Sequence, residues 1–212
     1  MLHLETITGD TLELLKSIAN SDLGTETRLV GGTSLALQLG HRISVDLDFF
    51  GNINLEPFEI EGILNDFGET YPLKVSKLIK IYNCNSIKLD LVQYNYPWLE
   101  EAIVWDNIKL AGLKDIAAMK IGAITGRGSK KDFIDLYELL KHFSLKQMIE
   151  FYKEKYKDGS VYLALKSLIY FDDAEEQVKE YPDSEPELLY DLSWEEVKSK
   201  ILKVHQDYMN SI

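Results

Sequence analysis

The sequence predicts an α+β protein, with a small mixed sheet flanked by helices in its first half and a helical second half. Two observations carry this. Between residues 26 and 110, short apolar runs alternate with polar residues at a period of two, the pattern of half-buried strands. Beyond Leu110 the period changes to the i, i+3, i+4 spacing of helices. Strands followed by helices, rather than either alone, define the class, with a boundary near residue 111 that separates 1–110 from 111–212.

The elements follow in order. Leu4–Ala19 reads as an amphipathic helix with Leu12, Leu14, Leu15 and Ile18 as its apolar positions, ended by Asn20–Gly24. Glu26–Val30 reads as a short strand and Thr33–Leu39 as a short helix, joined by Gly31 and Gly32. Val45, Leu47 and Phe49 alternate with aspartates in a second strand. Glu56–Phe67 is helical after Pro57 and ends near Gly68. Leu73–Tyr82 and Ser86–Tyr94 are β-like, with Asn83-Cys84-Asn85 as the turn between them, and a short strand covers Asn107–Leu110. Helices are expected over Leu113–Thr125, Lys130–His142, Leu145–Tyr156, Val161–Tyr170 and Trp194–Tyr208, the first broken from the second by Gly126, Gly128 and Ser129. Asp172–Pro186, acidic and carrying two prolines, reads as an exposed loop.

Composition sets the outer limits. At 212 residues and 45% hydrophobic, the chain can build one good core or two small ones. A single cysteine, Cys84, leaves no disulfide within the chain and argues against a cysteine zinc site. The start, Met-Leu-His-Leu-Glu-Thr, lacks a signal peptide's basic and apolar regions, and no apolar run approaches the ~20 residues that span a membrane. A cytoplasmic protein is expected. A formal net charge of −12 argues against coating by nucleic acid through bulk electrostatics, but leaves room for a local basic groove.

The chemistry concentrates in Leu29–Phe50. A Gly31-Gly32-Thr33-Ser34 turn sits where a strand gives way to a helix. Glycine there permits close backbone approach, a helix N-terminus offers N–H groups to phosphate, and Thr33 and Ser34 add hydroxyl donors. Asp46 and Asp48 follow, spaced by two, so that a strand would turn both carboxylates to one face. Two acids that close call for a cation between them. A hard divalent ion such as Mg²⁺, which takes oxygen ligands and carries substrate phosphates, suits them.

These residues resemble the nucleotidyltransferases of the DNA polymerase beta superfamily, with their Gly-Gly/Ser turn followed by Asp-x-Asp. More narrowly, Gly-Gly-Thr-Ser-Leu-Ala-Leu with Gly-His-Arg-Ile-Ser-Val-Asp-Leu-Asp-Phe-Phe is similar to the AbiEii/AbiGii toxin family. Either motif alone has an ordinary explanation, a turn or a wet strand face; together, at this spacing, they are specific.

The resemblance implies a third acid on a neighbouring strand, because two metal ions about 3.5–4 Å apart need more ligands than two aspartates supply. Lys88-Leu-Asp90-Leu-Val92 resembles the family's second motif and makes Asp90 the candidate. It also implies a basic string. Lys120, Arg127 and Lys131, then Asp132 and Asp135, match the family's Lys, Arg and basic–Asp-x-x-Asp-Leu signature. Charge matching assigns Lys120 and Arg127 to triphosphate oxygens, with Asp132 and Asp135 orienting those cations or touching base or acceptor. Ser129 with Asp132 also fits a capping box, and Lys131 with Asp135 an i,i+4 pair. His41 and Arg42 match the Gly-His-Arg segment; Arg42 is placed either on phosphate or on Asp46 or Asp48. Trp98, Trp105 and Trp194 are read as core.

The expectation is therefore a nucleotidyltransferase, dependent on Mg²⁺ or Mn²⁺ and holding two ions, that moves an NMP from an NTP to an acceptor and releases pyrophosphate. The family implies a bacterial toxin of a toxin–antitoxin or phage abortive-infection system, with a cognate antitoxin and RNA or tRNA as acceptor. A nucleotide-sensing module without turnover, and a metal-dependent phosphodiesterase or nuclease, are the alternatives.

Overall fold

The computed structural model describes residues 2–181 and 184–211. The chain divides into two compact units, Met1–Gly112 and Leu113–Ile212.

The first unit is built on a mixed sheet of seven strands among the described residues: β1 (Thr27–Leu29), β2 (Leu47–Gly51), β3 (Thr70–Val75), β4 (Ile79–Cys84), β5 (Ile87–Gln93), β6 (Ile103–Trp105) and β7 (Ile108–Leu110). The order is β3-β4-β5-β2-β1-β7-β6. β2 runs parallel to β5 and β1 parallel to β7, and the remaining pairs are antiparallel. Strict alternation fixes the faces: Leu47, Phe49, Leu89, Leu91 and Tyr82 are buried, whereas Asp48, Phe50, Lys88, Asp90 and Ile81 between them are half-exposed. Against the apolar face lie Leu14, Leu15 and Ile18 of helix α1 (Gly9–Ala19) and Ile60 and Leu64 of α4 (Pro57–Asn65). Between them in sequence come α2 (Asp22–Thr25) and α3 (Gly31–Leu39).

Several boundaries differ from expectation for local reasons. The first helix starts at Gly9, because the Thr8 hydroxyl accepts the Thr11 N–H and caps it; Leu4–Thr6 is a separate 3₁₀ turn. The run Leu73–Tyr82 is not one strand. Ser76 closes a turn onto Ile79 through its N–H and its hydroxyl, so the run splits into β3 and β4, with a bulge between Pro72 and Lys74. The following turn centres on Asn85 and Ser86, both at positive φ (49° and 67°), and Cys84 is a buried strand residue rather than part of it. Asp106 and Asn107 repeat this geometry (48° and 65°) and create β6, which was not expected.

The second unit is helical: α5 (Leu113–Gly126), α6 (Lys130–Leu139), α7 (Leu145–Lys155), α8 (Val161–Ser167), α9 (Asp172–Glu180) and α10 (Trp194–Met209). The expected loop over 172–186 is a helix through Glu180. Asp172, Asp173 and Glu175 complement the N-terminal dipole, and Ala174 is buried. Pro182 lies outside the described residues. Phe133, Phe171 and Trp194 form an aromatic core with centroids 4.9–6.0 Å apart.

Candidate active site

In the first unit the site is built at the junction of β1 and α3. Val30 donates its N–H to the Asp48 carbonyl at 2.8 Å, tying the turn to β2. Gly31 has φ +66°, and a Cβ there would collide with the Asp48 carboxylate. Both facts require glycine: the left-handed conformation strains other residues, and the space belongs to the acid. Helix α3 begins here with no side-chain cap on its N-terminal N–H groups. Gly31 and Gly32 are half-exposed.

Thr33 and Ser34, by contrast, are buried. The Thr33 hydroxyl bonds the Asp46 carbonyl and lies 2.8 Å from the Ser44 hydroxyl, and the Ser34 hydroxyl accepts from Gln38 at 3.2 Å. Their hydroxyls are committed to the protein: Thr33 holds the segment that leads into β2. The Asp46 carbonyl goes to Thr33, the strand starts at Leu47, two residues after Val45, and Val45 is exposed. Asp46 and Asp48 are both half-exposed. Arg42 is buried and donates to the Ile43 carbonyl at 3.0 Å; His41 is buried beside it.

Asp90 stands in direct register with Asp48 across β2 and β5. Neighbouring strands are about 4.8 Å apart, so the two carboxylates emerge side by side from one face. Lys88, two residues back on that face, reaches 2.5 Å from an Asp90 oxygen. Its charge relieves what would otherwise be a repulsive cross-strand pair. Among the described residues no three acidic, histidine or cysteine side chains converge into a ready cation cage. The donor set nonetheless fits Mg²⁺, which is held by one or two carboxylates and completes its shell with water and substrate phosphates.

In the second unit, Lys120 of α5 lies 2.9 Å from an Asp132 oxygen and 2.5 Å from an Asp135 oxygen, both on α6. All three side chains are at most 8% exposed. Asp132 also accepts from the Ser129 hydroxyl (2.6 Å) and N–H (3.2 Å), completing the capping box that starts α6. Arg127, largely exposed, brings its Nε to 3.5 Å. Burial pushes the Asp132 carboxyl up, but the Lys120 charge, the Ser129 hydroxyl and Arg127 outweigh it and hold it below the usual carboxylate range. The cap and the ion cluster are one structure. Asp135 turns to Lys120, while Lys131, one residue before Asp132, is half-buried.

Two features have no sequence signal. Lys155 and Asp115, forty residues apart, form a fully buried ion pair at 2.5 Å between α7 and α5. The Tyr190 hydroxyl bonds Glu138, which Lys141 also approaches at 2.8 Å; burial, with that carboxylate beside it, pushes the phenol far up.

The first unit is thus a mixed sheet with two acids opposed on parallel strands, backed by a glycine turn into a helix. Solved structures share this fold. JHP933 from Helicobacter pylori superposes with a TM-score of 0.55 at 19% identity, covering 97% of this chain and 96% of that one. ANT(2″)-Ia in complex with adenylyl-2″-tobramycin gives 0.53 at 13% identity, covering 68% of this chain and 94% of that one. The uncharacterized protein aq_aa25 of Aquifex aeolicus (strain VF5) is 36% identical over 205 residues, 94% of this chain and 96% of its own length. A family model described as the nucleotidyl transferase AbiEii toxin, type IV toxin–antitoxin system, matches residues 13–207. The chain belongs to this family, as its motifs implied, and is a nucleotidyltransferase.

Proposed function

We propose that this protein transfers a nucleoside monophosphate from an NTP to an RNA acceptor, tRNA among the candidates, with Mg²⁺ or Mn²⁺. The register of Asp48 against Asp90 carries the reading. Asp48, Asp90 and Asp46 would hold the metal, expected as two ions, which would supply positive charge for the triphosphate and lower the pKa of the attacking hydroxyl. Asp90, the acid beside Lys88, accepts that hydroxyl's proton. Gly31 and Gly32, ahead of the uncapped start of α3, present backbone N–H groups to phosphate. Lys120, Arg127 and Lys131 supply positive charge that stabilises departing pyrophosphate. Asp132 and Asp135 hold Lys120, and Arg42 and Thr33 order the approach to β2.

In the cell, the same reading makes the chain the toxin of a bacterial, cytoplasmic toxin–antitoxin or abortive-infection pair, with a cognate antitoxin. No helix of the described residues is long and apolar enough to cross a membrane. Incubation with labelled NTPs, Mg²⁺ and total RNA tests the activity. Labelled RNA is expected; shortened RNA would indicate a nuclease, and bound, unreacted NTP a sensor.

A further inference from the structure

Residues 70–89 hold four lysines, Lys74, Lys77, Lys80 and Lys88, and no aspartate or glutamate, in a chain of net charge −12. They form the β3–β4 hairpin and the start of β5, at one edge of the sheet. Every other described basic residue of the first unit outside this stretch, the histidines aside, is engaged. Lys16 pairs with Asp106, Arg28 stacks on Trp98, Arg42 donates to Ile43, and Lys109 donates to Thr25. On the hairpin, Lys74 and Lys77 make no ion pair among the described residues, whereas Lys80, in register with Leu91, is buried on the other face. Lys74 and Lys77 are exposed, with Tyr71, Leu73, Val75 and Leu78 about half-exposed among them.

The register ties this edge to the acids. Asp48 pairs with Asp90, Asp90 with Ile81, and Ile81 with Lys74, one row across β2, β5, β4 and β3 on one face. At about 4.8 Å per strand, the Lys74 backbone is roughly 10 Å from that of Asp90. Lys88 lies beside Asp90, and Asn83 and Tyr71 continue the adjoining row to the edge. Guarding the sheet edge does not account for this arrangement. Pro72 and the bulge already interrupt β3, while Lys77 sits in the turn and Lys80 on the inner strand.

We infer that the β3–β4 hairpin is the docking surface for a single-stranded nucleic-acid acceptor. Lys74 and Lys77 take backbone phosphates, Tyr71 offers a ring for a base to stack on, and the strand's terminal hydroxyl is led along the row toward Asp90. The inference rests on the transferase reading for its direction, but the surface is testable without turnover.

The test is fluorescence anisotropy with a labelled single-stranded oligoribonucleotide about twelve residues long, over about 50–300 mM salt. The wild-type plot of log affinity against log salt should have a slope of about −1.4, from the Lys74 and Lys77 phosphate contacts at about 0.7 each. Lys74→Gln with Lys77→Gln, both exposed, should weaken binding on the order of 20-fold at 0.1 M salt and flatten the slope to near zero. NTP binding without RNA should be unchanged. Equal affinity and slope in the variant would overturn the inference, as would no binding by the wild type. Binding of phosphatidylglycerol vesicles but not RNA would assign the patch to membranes and overturn it too. A variant that self-associates yet binds RNA normally would reduce the lysines to edge guards. If neither protein binds NTP while lysine-dependent RNA binding persists, the transferase reading fails and the surface stands.

Discussion

Asp48 and Asp90 oppose each other across parallel strands, and Lys88 sits on one oxygen of Asp90 at 2.5 Å. The pair is thus held ready at the cost of like charge on one sheet face. Asp48→Asn removes that cost. Its thermal midpoint in EDTA should equal or exceed wild type, by up to about 1 kcal/mol, while transfer is lost. Mn²⁺ should stabilise the wild type, by about 2.7 kcal/mol at a hundredfold excess over Kd, and leave the variant unmoved. Equal Mn²⁺ stabilisation of both proteins would remove Asp48 from the ligand set.

Gly31→Ala should do double harm. Alanine at φ +66° costs about 1–2 kcal/mol, and its Cβ displaces the Asp48 carboxylate. Both stability and transfer should fall. Gly62→Ala in α4, where a Cβ meets open space, should instead stabilise by about 0.5–1 kcal/mol with activity intact. A Gly31→Ala enzyme that melts and turns over like wild type would show that the turn is not built around the acid.

Lys120→Ala is a folding mutation before it is a catalytic one. It strands Asp132 and Asp135 in a buried site, at a cost of about 3–5 kcal/mol. Activity loss in that variant would follow unfolding and could not by itself prove contact with a triphosphate. Lys120→Arg is the sharper probe, because it keeps the charge and changes the reach. Loss of transfer with an unchanged melting temperature is the outcome that supports a direct role.

Asp132 predicts an acid limb. Its folded pKa is depressed, so its stabilisation is complete above the unfolded value of about 3.9 and is lost as pH falls through the lower folded value. Asp132→Asn should therefore be less stable at neutral pH, and its stability should fall less steeply than wild type below about pH 4. Thermal melts of both proteins across that range decide it; parallel curves would count against the ion cluster.

The Asp115–Lys155 pair should behave as a unit. Removing either partner alone should cost about 3–5 kcal/mol, whereas Asp115→Leu with Lys155→Met should recover most of that loss. Additive losses in the double-mutant cycle would mean the two residues are not coupled.

The sequence carried the β1–α3 turn and the helical second unit because both depend on local signals: glycines at a strand end, capping serines and helical periodicity. The split at Ser76 was legible only in a side chain that bonds back across its own turn, inside an apolar run that otherwise reads as one strand. Helix α9 was hidden because acids and prolines resemble a loop until the acids are counted as N-terminal. The Asp115–Lys155 pair left no trace at all, since nothing in a spacing of forty residues announces that two helices will bury it. Thr33 and Ser34 show the reverse error. Their hydroxyls looked like ligands for phosphate, yet the fold spends them on Asp46 and Gln38.

The sheet order also sets a schedule. β2 meets β5 only after α4 and the β3–β4 hairpin have been made, and β1 meets β7 later still. During synthesis, Asp48 leaves the ribosome some forty residues before its counterpart. A nascent chain that ends before Asp90 therefore has no paired acids, and because parallel pairing across a connection of this length forms slowly, the Asp48–Asp90 pair is a late event within the first unit.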